Sequence, residues 1–182
     1  MTKVKTSNSE LYYKEYGNGL PLILIAGLGS DSVSWLPVII NLSKNFRVIT
    51  FDNRGVGRSL QYNSNITIED MADDCVELIK HLGLPSVNIL GHSMGGMIAM
   101  DISIRYPELV DKLVLAATAP VLSNRNIQML NDWVLFLKTG MDRKLWFKNM
   151  FYWIFSPKFF EDEVLLNQAV TMAINYRYPQ SD

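Results

Sequence analysis

The sequence predicts an α/β fold in which a mainly parallel sheet carries helices on both of its faces. Short apolar runs bounded by glycine or proline alternate with longer segments of helical periodicity. This alternation at short intervals is typical of right-handed βαβ units, whose strands are covered on both sides. The 182 residues, 48% of them hydrophobic, are enough for a sizeable core.

Five strands are expected along the chain. Residues 10–16 alternate in polarity and lead into a glycine turn, which predicts an antiparallel strand near the amino terminus. The remaining strands are predicted at the apolar runs 21–26, 46–51, 87–90 and 112–117.

Helices are predicted between these strands. The first covers residues 33–42, and Ser30 and Ser32 are its candidate caps. The second opens at Thr67, where TIED forms a capping box with Asp70 in the position usually held by glutamate.

The pattern GxSxG at residues 91–95 lies between a predicted strand and a third predicted helix. A serine on so tight a turn has a strained backbone, and only small residues at the two glycine positions avoid a clash. Ser93 is therefore the candidate nucleophile, and the Met94 N–H at the helix start is a candidate oxyanion donor. The short pattern also arises by chance, but the flanking elements favour the functional interpretation.

The loop AGLGS after the second strand offers a second oxyanion donor. Its glycines allow the Leu28 N–H to approach a substrate carbonyl opposite Met94. A plain strand-to-helix turn would have the same sequence. A dinucleotide-binding unit is a further alternative, because Gly27 and Gly29 are followed by Asp52 as a candidate ribose acid.

Composition limits the partners that we expect. The 17 basic and 18 acidic residues nearly cancel, so nucleic acid is not an expected partner. Cys75 is the only cysteine and neither CxxC nor HExxH occurs, so we expect no metal site, and Cys75 is interpreted as a small buried side chain. The polar amino terminus and the lack of a long apolar run predict a cytoplasmic protein without membrane contact.

The sequence changes character after Pro120. Residues 1–120 are predicted to form the α/β core, and residues 121–182 a helical cap region. Ten of the 20 aromatic residues fall between 133 and 160. We expect most of them to pack in the interior of a few helices and a minority to line an apolar substrate cleft.

The segments AGLGS, FDNRGVGRS and GHSMGG, in this order, resemble the α/β-hydrolase superfamily in its branch of small esterases, lactonases and C–C hydrolases. The resemblance implies an α/β-hydrolase fold with a helical cap after the sixth strand, and no cofactor. Ser93 matches the nucleophile, Met94 and Leu28 match the oxyanion donors, and residues 52–59 match a structural loop. The family usually has histidine where this chain has Ala26.

The resemblance also implies a triad acid and a base histidine on loops after the last two strands, which follow the cap in the family and which we expect this chain to lack. His92 is expected to pack on the elbow facing away from Ser93, and His81 is expected at the opposite edge of the sheet. We therefore expect the amino-terminal part of a longer, truncated hydrolase with impaired turnover. The strand at 112–117 is expected to be an open apolar edge through which the chain self-associates.

The sequence leaves three alternative functions open. In the first, Ser93 forms an acyl-enzyme with a small, uncharged or apolar carboxylic ester or lactone. In the second, a non-catalytic chain binds an apolar ligand or a partner chain. The third is NAD(H) binding, to which Ser93 is indifferent.

Overall fold

The computed structural model describes residues 2–61 and 66–176, in two compact units. We call residues 2–61 and 66–120 the sheet unit, and residues 121–176 the helical unit. Residues 177–182 of the predicted cap region lie outside the described residues.

Seven strands form one sheet in the sheet unit. They are β1 (Lys3–Lys5), β2 (Ser9–Tyr16), β3 (Leu20–Ile25), β4 (Phe46–Phe51), β5 (Leu60–Gln61), β6 (Val87–His92) and β7 (Val110–Ala116). The strand order is β1-β2-β4-β3-β6-β7, and β5 pairs with β2. The pairs β4–β3, β3–β6 and β6–β7 are parallel, whereas β2 runs antiparallel to β1, β4 and β5. The predicted α/β fold is confirmed, with the antiparallel strand near the amino terminus.

Three α-helices belong to each unit. In the sheet unit they are α1 (Leu36–Leu42), α2 (Ile68–His81) and α3 (Met94–Arg105), and in the helical unit α4 (Asn124–Lys138), α5 (Arg143–Ile154) and α6 (Glu163–Ile174). Short 3-10 turns occur at Ser32–Trp35, Pro107–Leu109 and Pro157–Glu161.

The caps of the first two helices had different outcomes. The capping box at Thr67 is confirmed: its hydroxyl accepts from the Asp70 N–H, and the Asp70 carboxylate accepts from the Thr67 N–H. The expectation that Ser30 or Ser32 caps the first helix was wrong. Asp31 caps the 3-10 turn by accepting from the Val33 N–H, because Ser32 is engaged by a distant loop described below.

Apolar side chains cover both faces of the sheet. Along β3, Ile23 and Ile25 belong to a large core with α2 and α3. Leu22 and Leu24 point to the other face, where they pack with Ile39 of α1. A strand buried on both faces reads as a continuous apolar run, which explains why β3 and β4 could be located to within one residue.

A buried ion pair joins α2 to the loop after β4. The Arg54 Nε donates to Asp74 Oδ2 at 2.7 Å, and both side chains are only 3% exposed. The Asp74 Oδ1 accepts from the hydroxyls of Thr6 at 2.6 Å and Ser9 at 2.8 Å. The charges are thus paired and hydrogen-bonded, as burial requires. Cys75, the next residue on α2, is fully buried as predicted, and burial raises the pKa of its thiol.

Aromatic rings in the helical unit touch one another, but few are enclosed. Phe151 contacts Phe147, Phe155 and Phe159 at centroid distances of 5.0 to 6.3 Å. Of the ten aromatic residues expected mostly in a helical interior, only Phe151 is buried, so that expectation was wrong. Three short helices do not present enough surface to enclose ten rings. None of the helices in the described ranges is long and apolar enough to span a bilayer.

Candidate active site

Ser93 is the one residue between β6 and α3, and its backbone is strained. Its φ of 53° and ψ of −121° lie in a region that residues other than glycine rarely occupy. Two hydrogen bonds hold this conformation: the Ser93 N–H donates to the Ala116 carbonyl at 2.9 Å, and the Ser93 carbonyl accepts from the Gly96 N–H at 2.9 Å. The serine is therefore fixed by β7 on one side and by its own helix on the other.

The two glycines of the GxSxG pattern are required by close backbone approach. A Cβ at Gly91 would overlap the Gly95 carbonyl, and a Cβ at Gly95 would overlap the Ile25 carbonyl at the end of β3. Either overlap would force the backbone to move, so larger residues at these positions are incompatible with the turn around Ser93.

The loop after β3 lies directly against this turn. A Cβ built on Gly27 would stand 3.1 Å from the Ser93 Cβ and 3.3 Å from the His92 Nδ1. Leu28 follows at once, and its side chain is 62% exposed. Met94 is the first residue of α3, so its N–H has no acceptor within the helix. The structure thus brings the loop of Leu28 beside Ser93 and Met94, whereas their catalytic roles stay predictions.

Neither histidine is hydrogen-bonded to Ser93 in the part of the chain that the structure describes. The His92 ring is exposed and packs edge-on against Trp35, at 6.4 Å between centroids. The His81 ring packs edge-on against Tyr13 of β2, at 6.2 Å. Because β4 and β3 separate β2 from β6, His81 lies well away from the strand that carries Ser93. The described residues therefore supply no imidazole that is hydrogen-bonded to the candidate nucleophile.

Asp52 is enclosed by the loop that it begins. Its carboxylate is fully buried and accepts from the Ser32 N–H at 2.8 Å, the Arg58 N–H at 2.9 Å and the Arg58 Nε at 2.8 Å. Burial by itself lowers the pKa of Arg58, but the hydrogen bond to Asp52 and its charge outweigh this effect and raise it. This arrangement argues against the dinucleotide alternative, because the proposed ribose acid is fully engaged inside the protein.

Two polar residues near the elbow were not singled out from the sequence. The Asn53 Nδ2 donates to the Ala26 carbonyl at 3.3 Å, just before Gly27. The side chain of Thr118 packs on Gly96, where an added Cβ would lie 2.6 Å from the Thr118 Cβ. Both contacts join segments far apart in the sequence, so local spacing contained no signal for them.

The helical unit has a cavity of its own, of about 330 Å³. Trp133, Phe136 and Trp153 line it together with Arg125, whose guanidinium lies 4.3 Å from the centre of the Trp153 ring. The Trp133 Nε1 donates to Asn149 at 2.8 Å and is thereby satisfied. Among the described residues, no group of three or more histidine, cysteine, aspartate or glutamate side chains is arranged to hold a metal ion.

Comparison with known proteins places residues 21–160 in one family model, whose description is the alpha/beta hydrolase fold. A protein of Agrobacterium fabrum, provisionally named carbamate hydrolase RutD, is 43% identical over 95 residues, which are 52% of this chain and 36% of the relative. The (E)-2-((N-methylformamido)methylene)succinate hydrolase of Acinetobacter baylyi is 36% identical over 110 residues, which are 60% of this chain and 42% of the relative. The chain therefore spans about two fifths of the length of these curated relatives.

The fold also matches solved structures. The enol-lactonase from Burkholderia xenovorans superposes with a TM-score of 0.81 at 26% identity, over 96% of this chain and 68% of the enol-lactonase. The superposition covers nearly all of the present chain, so both the sheet unit and the helices that follow it have counterparts in that enzyme.

Proposed function

Since this chain belongs to the alpha/beta hydrolase fold family, we propose that it is the part of a serine hydrolase that carries the nucleophile, with small carboxylic esters or lactones as substrates. The observation that carries the proposal is the strained Ser93 at a strand-to-helix turn, with Gly27 packed against it. A strained backbone conformation costs free energy and persists only where the surrounding structure holds it, and such residues cluster at functional sites.

The arrangement supports acyl transfer. The Ser93 Oγ attacks the substrate carbonyl carbon as its proton passes to a solvent water, which later returns it to the leaving alkoxide, and the N–H groups of Met94 and Leu28 hold the oxyanion that forms. The carbon–oxygen bond to the leaving alcohol then breaks, the alkoxide takes up a proton, and water cleaves the acyl-enzyme. A carbamate and an enol lactone, the substrates in the names of two matched proteins, share a carbonyl bonded to a leaving heteroatom.

Among the described residues, neither histidine is placed to accept the proton of the Ser93 hydroxyl. His81 and His92 make ring contacts elsewhere. Loss of the base from a serine triad lowers turnover by a factor of about 10⁶, and oxyanion stabilisation leaves about 10³ to 10⁴ over water. We therefore expect slow hydrolysis from the chain by itself.

A fluorophosphonate and intact mass spectrometry test the proposal. The Ser93 Oγ would form a bond to phosphorus as the phosphorus–fluorine bond breaks, and the mass would rise by one phosphonyl group. Ser93→Ala should abolish the adduct. Ser86→Ala is the matched control, because Ser86 directly precedes β6 at the strand's other end, where its hydroxyl donates to Asp111 at 2.9 Å. An adduct that persists in Ser93→Ala would overturn the proposal.

The second candidate function is non-catalytic binding of a partner chain or apolar ligand. It is favoured by β7, which ends the strand order of the described sheet and leaves Val114 and Leu115 about half exposed. This function predicts no adduct at Ser93 and a concentration-dependent association in size-exclusion chromatography. Val114→Lys should weaken the association if it occurs along this edge.

A further inference from the structure

The segment that carries the candidate oxyanion donor Leu28 is anchored at both ends by the loop after β4. At its far end, the Ser32 N–H donates to the Asp52 Oδ1 at 2.8 Å, and the Arg58 Nη2 donates to the Ser32 Oγ at 2.9 Å. At its near end, the Asn53 Nδ2 donates to the Ala26 carbonyl at 3.3 Å. Two consecutive residues, Asp52 and Asn53, therefore hold opposite ends of this segment.

The far anchor is reinforced by several contacts. Asp52 accepts from both the backbone and the side chain of Arg58, and Gly57 has a φ of 58° that allows this loop to close around the carboxylate. An added Cβ at Gly57 would stand 2.5 Å from the Asp52 Oδ2. The position of Ser32 is thus fixed by charge and by close packing.

The near anchor has one side-chain hydrogen bond. Asn53 is only 2% exposed, and its Oδ1 is buried without a hydrogen-bond partner among the described residues. The orientation of the amide is nevertheless defined, because the Ala26 carbonyl can only accept, so the NH₂ group must face it. An apolar residue of similar size would avoid the unsatisfied oxygen, so core stability alone does not account for an asparagine here.

The bonded carbonyl belongs to the peptide that joins Ala26 to Gly27. Gly27 lies against Ser93, at 3.1 Å between an added Cβ and the Ser93 Cβ, and the next peptide N–H is that of Leu28. The Leu28 N–H belongs to the following peptide, so a displacement of the Ala26 peptide would shift the Gly27 Cα and, with it, the peptide that carries this N–H. Preorganised donors act only when they are already aimed at the oxyanion, so this displacement would weaken them.

We propose that Asn53 is a positioning residue that fixes the Leu28 N–H toward Ser93 by holding the Ala26 carbonyl. This role rests on the proposed serine-hydrolase function. Asn53 touches neither the substrate nor the nucleophile, and acts through one peptide of the loop after β3.

The test compares Asn53→Leu with Thr50→Val in the 182-residue chain. Thr50 is also fully buried on β4 and its Oγ1 has no partner among the described residues, so Thr50→Val removes a buried polar atom that holds nothing. Fluorophosphonate labelling gives a maximal rate and a half-saturating concentration. In Asn53→Leu we expect the maximal rate to fall about tenfold at an unchanged half-saturating concentration, and in Thr50→Val neither should change.

Amide ¹⁵N relaxation provides a readout that does not depend on reactivity. In Asn53→Leu the order parameters of Gly27 and Leu28 should fall from about 0.85 toward 0.6, while those of α2 stay unchanged. Equal order parameters in Asn53→Leu and the unsubstituted chain would overturn the positioning role. An equal fall of the Gly27 and Leu28 order parameters in Thr50→Val would also overturn the positioning role, because any substitution of a buried polar residue in this core would then loosen the loop.

The two proposals fail in different ways. If the fluorophosphonate adduct persists in Ser93→Ala, the serine-hydrolase function is wrong, and the relaxation comparison still decides whether Asn53 holds the loop. If Asn53→Leu does not fold, Asn53→Ala, which removes the same donor without adding bulk, is measured against Thr50→Ala. A rigid Leu28 in Asn53→Ala would overturn the role.

Discussion

The sheet unit and the helical unit differ in where their apolar side chains lie. Among the described residues, all but two of the buried apolar side chains belong to the sheet unit, and the two in the helical unit are Phe151 and Val170. The sheet unit also buries the Arg54–Asp74 ion pair, whereas α4, α5 and α6 begin at exposed polar caps. The contacts that fix the turn at Ser93 also lie in the sheet unit, which therefore supplies both most of the buried apolar side chains and the placement of the serine.

Breaking the buried ion pair should have the largest effect on the sheet unit. Asp74→Ala removes the nearer of the two carboxylates that pair with the buried Arg54, leaving Asp70 at 3.5 Å, and it removes the acceptor for the hydroxyls of Thr6 and Ser9. We expect the free energy of unfolding to fall by about 3–5 kcal/mol. Urea denaturation followed by far-ultraviolet circular dichroism measures the loss.

The neighbouring Asp73 is the control for that substitution. Its side chain is 47% exposed and pairs with Arg105 at 2.6 Å on the surface. Asp73→Ala should therefore cost only about 0–1 kcal/mol. If Asp74→Ala and Asp73→Ala lower the free energy of unfolding equally, burial of the Arg54–Asp74 pair does not add to the stability of the sheet unit. The contrast between the two units would then rest on their buried apolar side chains.

Within the helical unit, Phe151 is the residue whose loss should matter most. It is 5% exposed and lies among three other rings. Phe151→Ala should destabilise this unit by about 3 kcal/mol, because it removes a buried ring and leaves a cavity. Tyr152→Ala is the control, since Tyr152 is 65% exposed and its ring stacks on that of Phe160.

Tryptophan fluorescence separates the two units in this experiment. Trp133, Trp146 and Trp153 lie in the helical unit, and Trp35 is the fourth tryptophan of the chain. The fluorescence transition should move to lower urea in Phe151→Ala and stay in place in Tyr152→Ala. Identical transitions in both variants would show that the helical unit does not depend on the one ring it buries.

The same contrast explains which parts of the fold the sequence could predict. β4 was located to the residue because its run of apolar side chains is buried on both faces and has clear boundaries. The capping box at Thr67 was predicted because all of its partners lie within four residues. The cap at Asp31 was missed because Ser32 is held by Asp52, 20 residues away. The exposure of the aromatic residues was missed because periodicity does not reveal how much surface a few helices can cover.

The candidate site divides in the same way. The turn at Ser93 and its need for small neighbours follow from spacing alone, since the strand, the serine and the helix are consecutive. The approach of Gly27 to Ser93 depends instead on β3 lying beside β6, and the anchor from Asn53 depends on β4 lying beside β3. Strand order is a tertiary property, so these contacts required the structure.

The smallest expected effect concerns two helix caps, one in each unit. Thr67→Ala and Ser123→Ala should each cost about 1 kcal/mol, because each removes a hydroxyl that accepts from a backbone N–H of the first turn. They should differ in acid. The Thr67 backbone and side-chain hydrogen bonds lower the pKa of Asp70, whereas the corresponding residue after Ser123 is the uncharged Asn126.

A carboxyl group whose pKa is lower in the folded state stabilises the fold fully above its unfolded pKa, and this stabilisation is lost as the pH falls through the folded value. The cost of Thr67→Ala should therefore be largest near neutral pH and shrink below about pH 4, while the cost of Ser123→Ala should not follow this titration. Urea denaturation of both variants between pH 7 and pH 3 measures the difference. If the Thr67→Ala cost stays constant over this range, the carboxylate adds nothing to the cap, and the two units would cap their helices with equal strength.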